Sequence, residues 1–476
     1  MSLLGRLRQE LGERVHSDQA ALDSHRRDAW LLSELHDLEA RPRPRPLAVV
    51  RPVSTAEVVR TLALCREART PIVPFGGGSG VCGAILVPEG AVVLSTEDLT
   101  GLVALDDRDL TARFRAGTNG LEAERQVQRA GLTIGHWPQS IALSSVGGWV
   151  ATRAAGQYST GYGNIEDVLL ALEAVLPNGA ILRTRETPRA SAGPDLRQLL
   201  LGSEGTLGVV TEVTFSLRPL PEASRGQAFH FARFQDGLEP LRLGLRAGWR
   251  PPVARLYDAR ESERHFPDTC PPGRAMLILL HEGPPALVTA QLDALERLCR
   301  DAGGVAADPA SVDHWLERRN HVPGFRPFLE QGVVLDTIEV ACTWQKVGRL
   351  YDRVTGALGQ VPGMLLATAH SSHSYRSGTN LYFTFVARPQ QREAMEATYR
   401  DCWQRTLRAT AELGGGIAHH HGIGRVRREA LALELGDSGV ALLRDLKRAL
   451  DPDGLLNPGA LLPRAPTELA HQRGSS

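Results

Sequence analysis

Three adjacent histidines, His419, His420 and His421, lie between Gly414-Gly415-Gly416 and Gly422-Ile423-Gly424. Imidazole changes charge near neutral pH, so this cluster suits proton transfer. In an extended backbone side chains alternate, which puts His419 and His421 on one face and His420 on the other. Three readings fit the residues alone. They are proton transfer, metal ligation with His370 and His373 from another segment, and a solvated polar run. Metal ligation would make the chain a metal-dependent hydrolase.

The second constellation is Pro74-Phe75-Gly76-Gly77-Gly78-Ser79-Gly80-Val81-Cys82-Gly83. Consecutive small residues let backbone N–H groups converge on an anion with no side chain in the way. Gly78, Gly80 and Gly83 satisfy G-x-G-x-x-G, but the Rossmann form needs a helix next. The following Ala84-Ile85-Leu86-Val87-Pro88 reads as strand and turn. No Lys-Ser/Thr pair follows, which excludes a Walker loop. A non-Rossmann pyrophosphate cradle and a close-packing turn both remain. Further small-residue clusters follow at 138–145, 147–154, 161–168 and 202–210. Several such clusters between strands suggest a long ligand wrapped by backbone.

The elements that must position these loops are legible in outline. Ala48–Val50, Pro71–Phe75, Ala91–Ser95 and Leu207–Leu217 read as strands. Ser54-Thr55-Ala56-Glu57 reads as a capping box, a hydroxyl and a carboxylate each covering an orphan N–H. It opens a helix with Val58, Val59, Leu62 and Cys65 on one face. Asn178-Gly179 between apolar runs predicts a hairpin, because both residues tolerate positive φ. Residues 1–40 read as helical and polar, and Arg41–Pro46 as an extended connector. After Pro219-Leu220-Pro221 the texture shifts to long helices with a few strands. The expected division is 1–44, a helical segment; 45–222, a cofactor domain; 223–415, a cap; and 416–476, a segment returning with the histidines.

The order of these motifs resembles the FAD-binding domain of the vanillyl-alcohol oxidase (PCMH-type) flavoprotein superfamily. The strings at 147–154 (GGWVATRA), 161–168 (GYGNIEDV) and 202–212 (GSEGTLGVVTE) carry the resemblance. It implies an α+β fold, a two-subdomain FAD-binding domain with an α/β cap built on an antiparallel sheet. It implies non-covalent FAD held by Pro74, Phe75, Gly76, Gly77, Gly78, Ser79 and Gly80. Pro138, Gln139, Ser140, Ile141, Ala142, Leu143, Ser144 and Ser145 are implied in the same role. So are Ala151, Thr152, Arg153 and Ala154, and Glu204, Gly205, Thr206, Leu207, Gly208, Val209 and Val210. Gln139 stands where the family often has Asp. His136 lies near the region of covalent attachment but in no attachment motif.

Within the superfamily, His-His-His-Gly-Ile-Gly resembles the alkyldihydroxyacetone-phosphate synthases. Hydroxy-acid dehydrogenases usually carry one His there. Leu381–Phe385, Ala254–Asp258 and Phe325-Arg326 extend the match. The resemblance implies Tyr382 as acid/base, His419, His420 and His421 beside the flavin, and Arg255 and Arg326 binding substrate, with no metal. The implied reaction exchanges an acyl chain for a fatty alcohol through a transient bond to flavin N5. The alternative is an FAD-linked oxidase or dehydrogenase of a 2-hydroxy acid. Ser145 and Arg376 stand where the synthases have Thr and Asp.

Composition sets outer bounds. Lys+Arg and Asp+Glu are equal at 54 each, so there is no basic excess for nucleic acid. Six cysteines without a C-x-x-C pair read as free thiols of a reducing compartment. No signal peptide or membrane-length apolar run appears, so the expected location is cytoplasmic. Leu3, Leu4, Leu7 and Leu11 form a helix face that either packs on the body or touches a membrane surface. The expected partners are a small-molecule or lipid-phosphate substrate and a second copy in a homodimer.

Overall fold

The computed structural model describes residues 1–322 and 324–464. Residues 465–476 of the expected C-terminal segment lie outside the described residues. Three short apolar strands, Ala48–Val50, Val92–Ser95 and Ile72–Phe75, pair in parallel. Parallel pairing needs a crossover, and helix Thr55–Glu67 links the first strand to Ile72–Phe75. Ser54 accepts from the Glu57 N–H as its hydroxyl predicts. The Glu57 carboxylate, however, reaches the N–H of Val53 rather than that of Ser54.

A five-stranded antiparallel sheet follows, in the order Leu102–Asp106, Thr111–Arg115, Val209–Ser216, Leu169–Val175, Ile181–Arg183. The last two strands form the hairpin around Asn178-Gly179. The apolar side of this sheet closes on Trp149, Val146 and Val150 of helix Val146–Thr152.

The N-terminal 40 residues are less polar in place than in sequence. Leu7 and Leu11 pack on helix Thr55–Glu67 in a buried cluster, so that leucine face belongs to the body. Leu31, Leu32 and Leu35 are buried in the core of the cap. Strand Val15–His16 adds an edge to the parallel sheet.

The stretch expected to hold a few strands carries a seven-stranded antiparallel sheet. Its order is Val305–Ala307, Ala223–Phe231, Ala275–Gly283, Val253–Tyr257, Met364–Ser371, Gly378–Ala387, Val334–Thr343. Met276-Leu277-Ile278-Leu279-Leu280 is apolar throughout because both its faces are buried. A short run of that kind shows no period-two signal. Helices Phe234–Ala247, Pro285–Asp301, Trp344–Gly359 and Met395–Glu412 cover one face.

The other face is where alternation matters. Leu381, Phe383 and Phe385 enter the helix-covered core, while Tyr382 and Thr384 line a cavity. In Val253–Tyr257 the core takes Ala254 and Leu256, and the cavity takes Arg255 and Tyr257. Successive strand residues point to opposite faces, so each polar residue set between apolar neighbours is delivered to one surface. All six cysteines are free and buried.

Candidate functional site

The cavity lies between the glycine loops and the polar face of the cap sheet. It holds about 1210 Å³, above the roughly 300–1,000 Å³ of single-ligand pockets. There is room for a dinucleotide and a second molecule.

One wall is backbone. Pro74 to Gly80, Pro138, Gln139, Ser140, Leu143, Ser144 and Ser145 line it, with Ala151, Thr152, Ala154, Glu204, Gly205, Gly208, Val209 and Val210. Five of the residues singled out from the sequence do not. Ile141 is fully buried in the core behind the wall. The Ala142 carbonyl accepts from Asn119. Arg153 ends helix Val146–Thr152 in a left-handed conformation, 3.6 Å from Glu166. Thr206 and Leu207 are buried under the loop, with the Thr206 hydroxyl on the Ser203 carbonyl.

The N–H groups of Gly77, Gly78, Ser79 and Gly80 donate to no backbone carbonyl among the described residues. A run of N–H groups without backbone partners on residues that line a cavity is an anion cradle. A Cβ on Gly77 would sit 2.2 Å from the Leu143 carbonyl oxygen, and one on Gly76 2.6 Å from Ser145 Oγ. Glycine here lets two cavity-lining loops touch. Gly77→Ala therefore forces those loops apart. The expected result is a purified protein at least about tenfold weaker for FAD, read by titrating apoprotein with FAD.

The opposite wall is chemical. His420, His421, Tyr382, His370, His373 and Arg255 line it. The expected alternation of the three histidines does not hold. Residues 419–421 form bends rather than a strand, because distant carboxylates hold their backbone. Glu339 accepts from the N–H groups of His420 and His421, and Glu204 from those of Ile423 and Gly424. All three rings gather on one side: His419 and His420 centroids are 5.1 Å apart, His420 and His421 4.4 Å. His420 and His421 reach the cavity, whereas His419 sits behind them with Nε2 2.8 Å from the Tyr375 oxygen. Burial lowers the pKa of His419 to about 4 and that of His420 well below its usual value, so both are neutral at pH 7.

Thr337 Oγ1 donates to the Tyr382 oxygen at 2.9 Å, which leaves the Tyr382 proton free for the cavity. Arg255 Nη2 lies 3.0 Å from His370 Nε2. A guanidinium only donates, so His370 Nε2 accepts and its Nδ1–H faces Glu261 at 2.6 Å. This pair aims Arg255 and leaves His370 no free nitrogen. His373 Nδ1 is 2.6 Å from Ser159 Oγ. One ring nitrogen each from His373, His419 and His420 falls within 4.8 Å of the others, but hydrogen bonds already occupy both nitrogens of His419 and Nδ1 of the other two. Arg326 is at the rim, its charge taken up by Glu34 and Glu330.

A sequence model for an FAD binding domain matches residues 46–185. A model described as FAD linked oxidases, C-terminal domain, matches residues 220–461, more than half of the chain. The chain belongs to the FAD-linked oxidase family. An uncharacterized FAD-linked oxidoreductase of Escherichia coli K12, YgcU, is 32% identical over 97% of this chain and 98% of its own length. The alkyldihydroxyacetonephosphate synthase of Caenorhabditis elegans is 30% identical, covering 94% of this chain and 81% of that protein. A solved alkyldihydroxyacetonephosphate synthase superposes with a TM-score of 0.79 at 24% identity, over 95% of this chain and 84% of that one.

As an FAD-linked oxidase family member the chain is an enzyme with FAD as cofactor, and the glycine-loop wall fits a pyrophosphate. His136 is fully buried against Trp149 and absent from the cavity wall, so it offers no covalent tether. No helix among the described residues is long and apolar enough to cross a membrane. Sequence reasoning missed Tyr375, Glu339 and Asn164, whose Nδ2 donates to the Tyr375 oxygen. Asn164 stood within a quoted family string, and Tyr375 two residues from His373. Glu339, a carboxylate between Ile338 and Val340, was a signal that went unread.

Proposed function

We propose that this family member exchanges the acyl group of an acyl-dihydroxyacetone phosphate for a fatty alcohol. The observation that carries the reading is the chemical wall: Tyr382 with a free proton, a neutral His420, His421, and Arg255 held by His370, all on one cavity. The long match to an alkyldihydroxyacetonephosphate synthase supports it. Bound FAD supplies an electron sink. Arg255 holds the phosphate, because a guanidinium presents a planar donor fork. Tyr382 exchanges a proton with the substrate. His420 and His421 hold substrate oxygens, Arg326 guides the phosphate at the rim, and His419 acts from behind His420. The FAD contacts are those of the glycine-loop wall. The active form is a homodimer, expected at twice the chain mass by light scattering.

The test is incubation of the flavinated protein with acyl-dihydroxyacetone phosphate and a labelled fatty alcohol. Label in an ether-linked product, with release of the free acid, is expected. A charge-assisted hydrogen bond contributes about 1.5–3 kcal/mol. Arg255→Ala is therefore expected to raise KM for the phosphate substrate about 10–100-fold, and an unchanged KM removes Arg255 from the site.

A second reading rests on the guanidinium groups of Arg255, Arg264, Arg318 and Arg319, which all reach the cavity wall. Such a wall also suits a carboxylate. That favours an FAD-linked oxidase or dehydrogenase of a 2-hydroxy acid. No label transfer, together with oxidation of D-lactate or glycolate, would establish it.

A further inference from the structure

Asn164, Tyr375, His419 and His420 form one unbroken line of hydrogen bonds ending at the cavity. Asn164 Nδ2 donates to the Tyr375 oxygen at 2.7 Å. The Tyr375 oxygen lies 2.8 Å from His419 Nε2, and His419 Nδ1 lies 2.8 Å from His420 Nδ1. His420 is on the cavity wall, and its Nε2 makes no hydrogen bond among the described residues.

Each link carries one proton, so the direction of the first link sets all the others. Asn164 is the N-cap of helix Ile165–Val168, and its backbone N–H donates to the Asp167 carboxylate. Its side-chain oxygen has no hydrogen-bond partner among the described residues, and its NH₂ end faces Tyr375. An amide NH₂ cannot accept, and the Tyr375 proton therefore points at His419 Nε2. A neutral His419 then carries its proton on Nδ1 and donates it to His420 Nδ1. A neutral His420 is left with its proton on Nε2, the nitrogen with no protein partner.

We propose that Asn164 and Tyr375 are positioning residues that make His420 a hydrogen-bond donor, not a base, toward a carbonyl or phosphoryl oxygen of the substrate. The inference rests on reading the cavity as a substrate site, and it deepens that reading. A fixed, uncharged N–H is suited to an oxygen that gains negative charge during reaction. Proton donation to the substrate then falls to Tyr382, whose proton is free. The other groups packed on the two rings leave the line intact. His373 stacks on His419 at 5.0 Å with its Nδ1 on Ser159. His421 lies at ion-pair distance from Glu339.

The test is the protonation of the ring nitrogens in ¹⁵N-histidine-labelled holoenzyme, with His420 signals assigned by their loss in His420→Gln. Wild type is expected to show a protonated Nε2 and a lone-pair Nδ1 on His420. Asn164→Asp is expected to exchange them, because a carboxylate accepts from Tyr375 and reverses every link. Its kcat should fall about tenfold or more with FAD content retained. Tyr375→Phe removes the anchor and should give both tautomers, and it decides the matter if the Asp variant does not fold. A lone pair on His420 Nε2 in wild type, or tautomers unchanged in Tyr375→Phe, overturns the inference. The nitrogen signals need no substrate. The assigned tautomer in an enzyme inert toward acyl-dihydroxyacetone phosphate would support the inference and sink the functional reading alone.

Discussion

Replacing His420 with alanine lowers kcat about 10²–10³-fold, the usual effect of removing one donor aimed at a developing charge, and leaves FAD bound. The separation follows from position. His420 lies on the wall built by the cap and the His loop, while the groups facing the pyrophosphate cradle are backbone N–H groups of residues 77–80. Its backbone N–H is held by Glu339 whatever the side chain, so the loop survives truncation. Steady-state kinetics and the flavin absorbance of the purified variant check both halves. Loss of the yellow colour would give the ring a cofactor or folding role instead.

The second large effect lies behind the histidines. Glu339 and Arg427 have no exposed side-chain surface and pair with each other. Arg427 also reaches Cys82 at 3.1 Å and the Gly422 carbonyl at 2.7 Å. Burial pushes the Glu339 carboxyl upward, but Arg427 and His421 outweigh it and hold it well below its usual value. Removing one partner of a buried pair strands the other charge and costs about 3–5 kcal/mol. Glu339→Leu is expected to lose that much in urea unfolding. It also frees the backbone of His420 and His421, so turnover falls with stability. Glu339→Leu combined with Arg427→Met should recover stability, because the stranded charge is gone, but not turnover. Recovery of both would mean that Glu339 does not hold the His loop.

What the sequence disclosed and what it hid divide along the reach of the interactions. Gly76, Gly77 and Gly78 were legible because a backbone that must approach another chain segment excludes side chains locally. Tyr382 was legible as a site residue by its place in the motif, and period-two alternation with Leu381 and Phe383 explains why it escapes the core. Helix Thr55–Glu67 announced its own start through Ser54. The His loop was misread as extended because its bends depend on Glu204 and Glu339, both distant in sequence. The Asn164–Tyr375 contact spans 211 residues, and no local pattern encodes it. The cap sheet was underestimated because a strand buried on both faces shows no alternation. Arg326 followed its motif to the rim, and one of its two acidic partners, Glu34, lies 292 residues earlier in the chain.

The most direct measurement is the visible spectrum of the purified holoenzyme under anaerobic conditions, before and after acyl-dihydroxyacetone phosphate and, separately, D-lactate and glycolate. The flavin spectrum is expected to be perturbed by the acyl phosphate and unaffected by the hydroxy acids. Stable bleaching by a hydroxy acid, with no response to the acyl phosphate, would contradict the proposed exchange.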